Sequence, residues 1–147
     1  MTYPAGEALV LTQLQSVTGF TAQNVSRMNW KLLNGGYSDH YAIVKPGTIS
    51  EDGVVNFGWI NQTIVQVWQR YKDESTSQIN LEGYVDAVKQ RFMSYRKLGD
   101  TTGKVYDSRV RETREMQEQW KKGGGLAWLT QEVVIEWREQ EIISYAE

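Results

Sequence analysis

The sequence predicts an α+β domain in which two helices pack on an antiparallel sheet that ends in a long C-terminal β-hairpin. Two stretches have apolar residues at the three- and four-residue spacing of amphipathic helices. Residues 57–71 are rich in β-branched and aromatic side chains, which favour strands. A triple glycine at 123–125 joins a charged arm to an alternating strand. The chain has 147 residues, the size of one ordinary domain, so a single domain over 1–147 is expected.

The first half is predicted to contain one helix and two strands. Residues 4–18 form the helix, since apolar residues recur on one face and the proline near its start is tolerated there. A strand over 37–45 is expected to end at Pro46-Gly47. Residues 57–71 form the clearest strand. Their apolar side chains occupy both faces, which predicts a central position in the sheet.

The second helix is predicted over residues 81–98, after a polar connection over 72–78. Asn80 or Ser77 could cap its first turn. Gly83 lies inside this helix, where glycine costs about 1 kcal/mol relative to alanine. Close packing at that position would account for this cost.

The C-terminal hairpin is predicted to pair a first arm over 105–122 with a second arm over 126–143. The first arm is ambiguous, because residues 109–119 would also make a tolerable helix. We favour a strand, since a glycine-rich turn followed by a clear strand indicates a hairpin. The second arm alternates between an apolar face (Ala127, Leu129, Val133, Ile135, Trp137) and a polar face (Thr130, Glu132, Glu136, Arg138).

Composition excludes several classes of protein. The chain has 16 basic and 18 acidic residues, a net charge of −2, which argues against a free-standing nucleic-acid-binding protein. It has no cysteine, so it has no disulfide, thiolate nucleophile or cysteine-ligated zinc. No signal peptide or transmembrane span is expected. Aromatic residues are frequent and six are tryptophan, which fits the core and an interface about equally.

No enzyme site is predicted. His40 is the only histidine, and its sequence neighbours would point to the opposite face of a strand, so a surface or strand-end position is preferred to a catalytic triad. Residues 99–104 resemble a phosphate loop, but their spacing is one residue short and they follow a helix. Glu112, Glu115 and Glu118 lie among basic residues and are expected to form a solvated face. We therefore expect no catalytic residue, cofactor or metal.

A candidate contact region lies in the first arm and at the hairpin tip. Trp120 followed by two lysines, beside a flexible turn, is unusual for a position that favours small polar residues. The alternative is a tryptophan that folds back onto the sheet. The predicted interface residues are Arg109, Arg111, Arg114, Glu115, Glu118, Trp120, Lys121 and Lys122.

The order of elements resembles the tail-terminator and neck (tail completion) proteins of long-tailed bacteriophages. The resemblance is carried by residues 59–71, by the helix that ends at 95–98, and by the strand pair that ends at 133–139. The N-terminal helix and the strand end at 41–47 agree with it. The similarity covers nearly the whole chain as an order of elements and contains no diagnostic motif.

This resemblance implies a structural protein that is not an enzyme. It implies a homo-oligomeric ring, usually a hexamer, that caps the tail tube and joins it to the head-side connector protein. DNA would pass through the lumen without specific binding. The protein would be located in the virion neck or tail end, after assembly in the host cytoplasm. No membrane, cofactor or catalytic residue is implied.

Three alternatives remain at the level of sequence. One is a head–tail connector or tail-tube protein of the same particle. Another is a small protein-binding domain that uses its aromatic surface. The third is a carboxylate-dependent hydrolase, which would need acidic residues that converge in a cleft.

Overall fold

The computed structural model describes residues 3–21, 23–27, 39–51, 53, 58–96, 98–100 and 104–140. The elements in chain order are α1 (Tyr3–Leu14), β1 (Val25–Arg27), β2 (His40–Glu51), β3 (Gly58–Arg70), α2 (Glu74–Ser94), β4 (Val105–Thr113), β5 (Gln117–Trp120) and β6 (Leu126–Gln140). The predicted α+β class with two helices is confirmed at this level. Parts of five predictions lie outside the described residues: 37–38, 57, 97, 101–103 and 141–143.

The six strands form one sheet in the order β1-β2-β3-β6-β4, and β5 also pairs with β6. β1 runs parallel to β2, and the other pairings are antiparallel. The prediction of a wholly antiparallel sheet is therefore wrong at this edge. Parallel neighbours need a long crossover, and the connection over residues 28–39 has the length for one.

β3 lies between β2 and β6, which confirms the predicted central strand. Its odd-numbered residues from Asn61 to Gln69 are buried, and its even-numbered residues are partly exposed. The buried face contributes Val65 and Val67 to the core, together with residues of both helices. The helices therefore cover one face of the sheet. We call the opposite face, on which Tyr41, Trp68 and Glu132 lie, the open face.

β2 continues through Pro46-Gly47, so the predicted strand end is wrong. The register against β3 shifts between Pro46 and Ile49, which identifies a bulge. Pro46 lies beyond the stretch of β2 that pairs with β1, so its missing N–H breaks no bond to that strand. A Cβ on Gly47 would lie 2.7 Å from the carbonyl oxygen of Gln62. The bulge therefore requires glycine.

α2 begins seven residues earlier than predicted, so residues 74–78 are helical and Asn80 and Ser77 are not its cap. Asp73 is the N-cap, and its Oδ1 accepts a hydrogen bond of 2.7 Å from the N–H of Thr76. The pKa of Asp73 lies below its ordinary value, and this hydrogen bond has the largest effect on it. Ser77 is buried in the first turn, where its Oγ accepts from the N–H of Lys72 at 2.9 Å. The helix start was missed in the sequence because residues 74–78 are polar and show no apolar periodicity.

The first helix ends at Leu14, four residues before its predicted end. From Ser16 onward, the backbone hydrogen bonds span three residues in place of four. The N–H of Ser16 bonds to the carbonyl of Gln13, and that of Val17 bonds to Leu14. These three-residue bonds replace the helical ladder. Gly19 follows at a φ of +94°, a left-handed conformation that favours glycine.

The first arm of the hairpin is extended, which confirms the choice of strand over helix. It is divided into β4 and β5, which both pair with β6 and are separated by residues 114–116. Val110 and Met116 pack against the core. The predicted long hairpin is therefore matched only in part, since its first arm is not continuous.

Candidate interaction surface

The β5–β6 turn is built from residues 121–125. The N–H of Lys121 donates to the carbonyl of Gly125 at 2.8 Å, and the N–H of Gly124 donates to the carbonyl of Lys121 at 3.1 Å. All three glycines have φ between 85° and 109°, which side-chain-bearing residues rarely adopt. β3 pairs with β6 only as far as Trp128, so the turn extends past the end of β3. We call Trp120, Lys121 and Lys122 the hairpin tip.

Trp120 is 63% exposed at the end of β5. The register shifts between Gln119 and Trp120, where the pairing moves from Trp128 to Leu126. The exposed indole thus lies at an irregularity in the pairing of β5 with β6. Lys121 and Lys122 are exposed beside it, as are Glu115 and Glu118. All eight predicted interface residues are exposed, and these five form no ion pair with a described residue.

The three predicted arginines lie elsewhere, on the open face, and are held by ion pairs. Arg109 Nη2 donates to Glu136 Oε1 at 3.1 Å, and Arg111 Nη1 donates to Glu136 Oε2 at 3.1 Å. Arg138 lies 3.9 Å from the same carboxylate. Glu136 is 4% exposed, so three guanidinium groups surround a buried carboxylate. This pairing fixes the arginines within the subunit.

A bulge in β4 makes this cluster possible. The register shifts between Val110, which pairs with Ile135, and Glu112, which pairs with Val134. Arg111 is the extra residue, so it reaches Glu136 alongside Arg109. An unbroken alternation would have placed Glu112 on the core face. The bulge moves it to the open face instead.

Glu132 is the second acidic centre of the open face. Its Oε2 accepts from Lys45 Nζ at 2.7 Å and from Gln66 Nε2 at 3.1 Å, and its Oε1 accepts from Arg114 Nη1 at 2.8 Å. Partial burial raises the pKa of Glu132, but the hydrogen bonds and charges of Lys45 and Arg114 together outweigh it, so the pKa lies below its ordinary value. Arg114 also pairs with Glu112 at 3.2 Å.

An aromatic cluster that the sequence did not reveal lies beside these charges. The rings of Tyr41 and Trp68 stack with centroids 5.6 Å apart, and Trp128 meets Tyr41 edge-on at 5.2 Å. The guanidinium of Arg70 lies 5.2 Å from the Trp128 ring. Burial raises the pKa of Tyr41, whose hydroxyl has no hydrogen-bond partner among the described residues. The signal available in sequence was the alternation of β3 and β6, which puts Trp68 and Trp128 on one face.

The remaining candidates for chemistry have structural surroundings. His40 is the first residue of β2, as predicted, and its ring stacks on Tyr84 with centroids 4.1 Å apart. Glu112, Glu115 and Glu118 are exposed, which confirms the solvated face. Within the described part of the chain, no group of three His, Asp or Glu side chains has metal-binding geometry. The same residues include no helix long and apolar enough to cross a membrane.

Comparison with known proteins returned no relative: no protein-family model matches the chain, and a search of curated proteins found no match.

Proposed function

We propose that this protein is a structural subunit that assembles into a closed ring and acts as a phage tail terminator. The ring would cap the tail tube and join it to the head-side connector. The observation that carries the proposal is the exposed hairpin tip, where a tryptophan that is 63% exposed precedes two exposed lysines. Large aromatic side chains are typical anchors of protein interfaces.

The ion pairs of the open face support an assembly role for the tip. Arg109, Arg111 and Arg114 are already paired with carboxylates of their own subunit. They brace β4 and the residues that follow it against β6. We propose that β4, β5 and β6 act together as one long hairpin, whose braced base presents the tip to a neighbour.

The test is the assembly state of the purified protein, measured by light scattering and negative-stain electron microscopy over a wide concentration range. We expect rings, alone or after addition of purified tail-tube protein. Trp120→Ala, and separately the double change Lys121→Glu with Lys122→Glu, should abolish them. Ile49→Ala is the matched control, because Ile49 is 51% exposed on a different strand.

Two outcomes would overturn the proposal. A chain that stays monomeric under all these conditions, and is also absent from purified virions, is not a ring subunit. Long tubes in place of single rings would identify a tail-tube protein instead.

A further inference from the structure

The outer surface of α2 carries an apolar residue, a glycine and two acids at helical spacing. Glu82 and Gly83 follow Ile79 by three and four residues and precede Asp86 by four and three, so the four share one side of the helix, and all are exposed. Ile79 is 65% exposed, which is unusual for a large apolar side chain. We call these four residues the α2 outer patch.

The close packing considered for Gly83 is not found within the described part of the subunit. A Cβ built there has no atom within 4 Å, apart from its chain neighbours and the backbone of its own helix turns. Its φ is not positive either, so the conformation does not require glycine. Glycine weakens a helix interior, and neither a close contact nor a positive φ requires it at this position. A bare helix surface does, however, allow another molecule to approach the backbone closely.

The charges of the patch and of the hairpin tip are opposite. Glu82 and Asp86 form no ion pair within the described part of the chain. Lys121 and Lys122 likewise form none with any described residue. Complementary charges set the register and orientation of protein contacts.

We propose that the hairpin tip of one subunit docks on the α2 outer patch of the next copy of the same chain. The Trp120 indole would lie over Gly83 beside Ile79, and the two lysines would face Glu82 and Asp86. This inference rests on the proposed ring and names the two surfaces that form it. Two different surfaces meet, so the contact is head-to-tail, as rings require.

The α2 outer patch can be placed relative to the hairpin tip from the strand pairing and the bounds of the helix. β3 ends at Arg70, opposite Trp128, and α2 begins shortly afterwards at Glu74. The hairpin tip and the first turns of α2 therefore lie at the same end of the sheet. The α2 outer patch begins in the second turn of the helix, at Ile79, and ends in the fourth, at Asp86.

The first experiment is disulfide cross-linking, because the chain contains no cysteine of its own. Chains with Lys121→Cys are mixed with chains with Glu82→Cys under mild oxidation. We expect dimers in the mixture that greatly exceed those in either variant alone. Chains that carry both changes should give a ladder that stops at the ring size. Ile49→Cys mixed with Glu82→Cys is the control and should not cross-link above background.

The second experiment uses the glycine itself. Gly83→Gln should leave the melting temperature of the monomer unchanged or higher, since glutamine favours helix and the site is open. It should weaken assembly at least about tenfold, because the longer side chain occupies the docking place of the indole. Gly83→Ala is the matched control, which should give the same gain in helix stability while largely preserving assembly.

The outcomes separate this inference from the proposed function. Rings that form without the mixed cross-link, or that tolerate Gly83→Gln, overturn the docking site and leave the ring intact. Cross-links between two Lys121→Cys chains would show a symmetric contact, which also overturns it. A chain that forms no oligomer and no cross-link overturns both proposals.

Discussion

Two tryptophans on the C-terminal hairpin lie in opposite environments. Trp137 in β6 is fully buried, and its Nε1 donates to Thr63 Oγ1 at 3.1 Å. Trp120 in β5 is 63% exposed beside the glycine turn. Tryptophan therefore packs in the core at position 137 and is exposed to solvent at position 120. Trp137 belongs to the core that the helices cover. Trp120 lies at the exposed hairpin tip.

The charged residues of the hairpin divide in the same way. Near the core, Arg109 and Arg111 surround the buried Glu136. At the tip, Lys121 and Lys122 are exposed. Charges near the core contribute to folding, whereas charges at the tip are available for association. Four substitutions can test this division, from the largest expected loss of stability to the smallest.

Trp137→Ala should have the largest effect. It leaves a cavity in the core and removes the hydrogen bond to Thr63, so we expect a loss of about 3–5 kcal/mol in the free energy of unfolding. Urea denaturation followed by circular dichroism measures it. A loss below about 1 kcal/mol would mean that the hairpin base is not part of the core.

Glu136→Gln should rank second. The carboxylate is buried and accepts from two arginines, so a neutral amide leaves their charges uncompensated and should cost about 2 kcal/mol. Glu112→Gln is the matched control, since that side chain is 53% exposed and should lose less than about 1 kcal/mol. Equal losses for both would contradict the special role of the buried carboxylate.

Glu132→Gln should change the pH dependence of stability. The folded pKa of Glu132 lies below its ordinary value of 4.5, so its contribution is present above that pH and is lost as pH falls through the folded pKa. The substitution should cost about 1 kcal/mol at neutral pH and less in acid. Melting temperatures from pH 7 down to about 3 measure this. Parallel profiles for the two proteins would show that Glu132 contributes no linkage.

Trp120→Ala should have the smallest effect on folding. The side chain is mostly exposed, so we expect a change within about 0.5 kcal/mol in the same urea experiment. Its large effect should appear only in the assembly measurement. A loss above about 2 kcal/mol would mean that the indole folds back on the sheet in solution.

Periodicity was enough to predict the parts of the fold that bury a regular face. The central β3, the two faces of β6 and the amphipathic α2 all follow from residues such as Val65, Val85 and Ile135, which recur on the buried side. Exposure of the tip was one of two alternatives that the sequence left open for Trp120, and the structure leaves the indole 63% exposed.

Three other features of the fold could not be predicted from the alternation of apolar and polar residues. The bulge at Arg111 reverses which face the next residues occupy, so the grouping of Arg114 with Glu132 could not be read from spacing. The cap at Asp73 was missed because residues 74–78, which begin α2, are all polar. β1 has only three residues, too few for alternation to show that it runs parallel to β2.

The pairing of β3 with β6 has a consequence for how the chain folds during synthesis. Gly58 pairs with Gln140 and Arg70 with Trp128, so the central ladder joins segments far apart in sequence. Contacts of this kind form slowly, because a long loop must close first. On the ribosome, β3 can pair with β2 but must wait with one edge unpaired until β6 has emerged. Slower translation after β3 would prolong that exposure and favour aggregation.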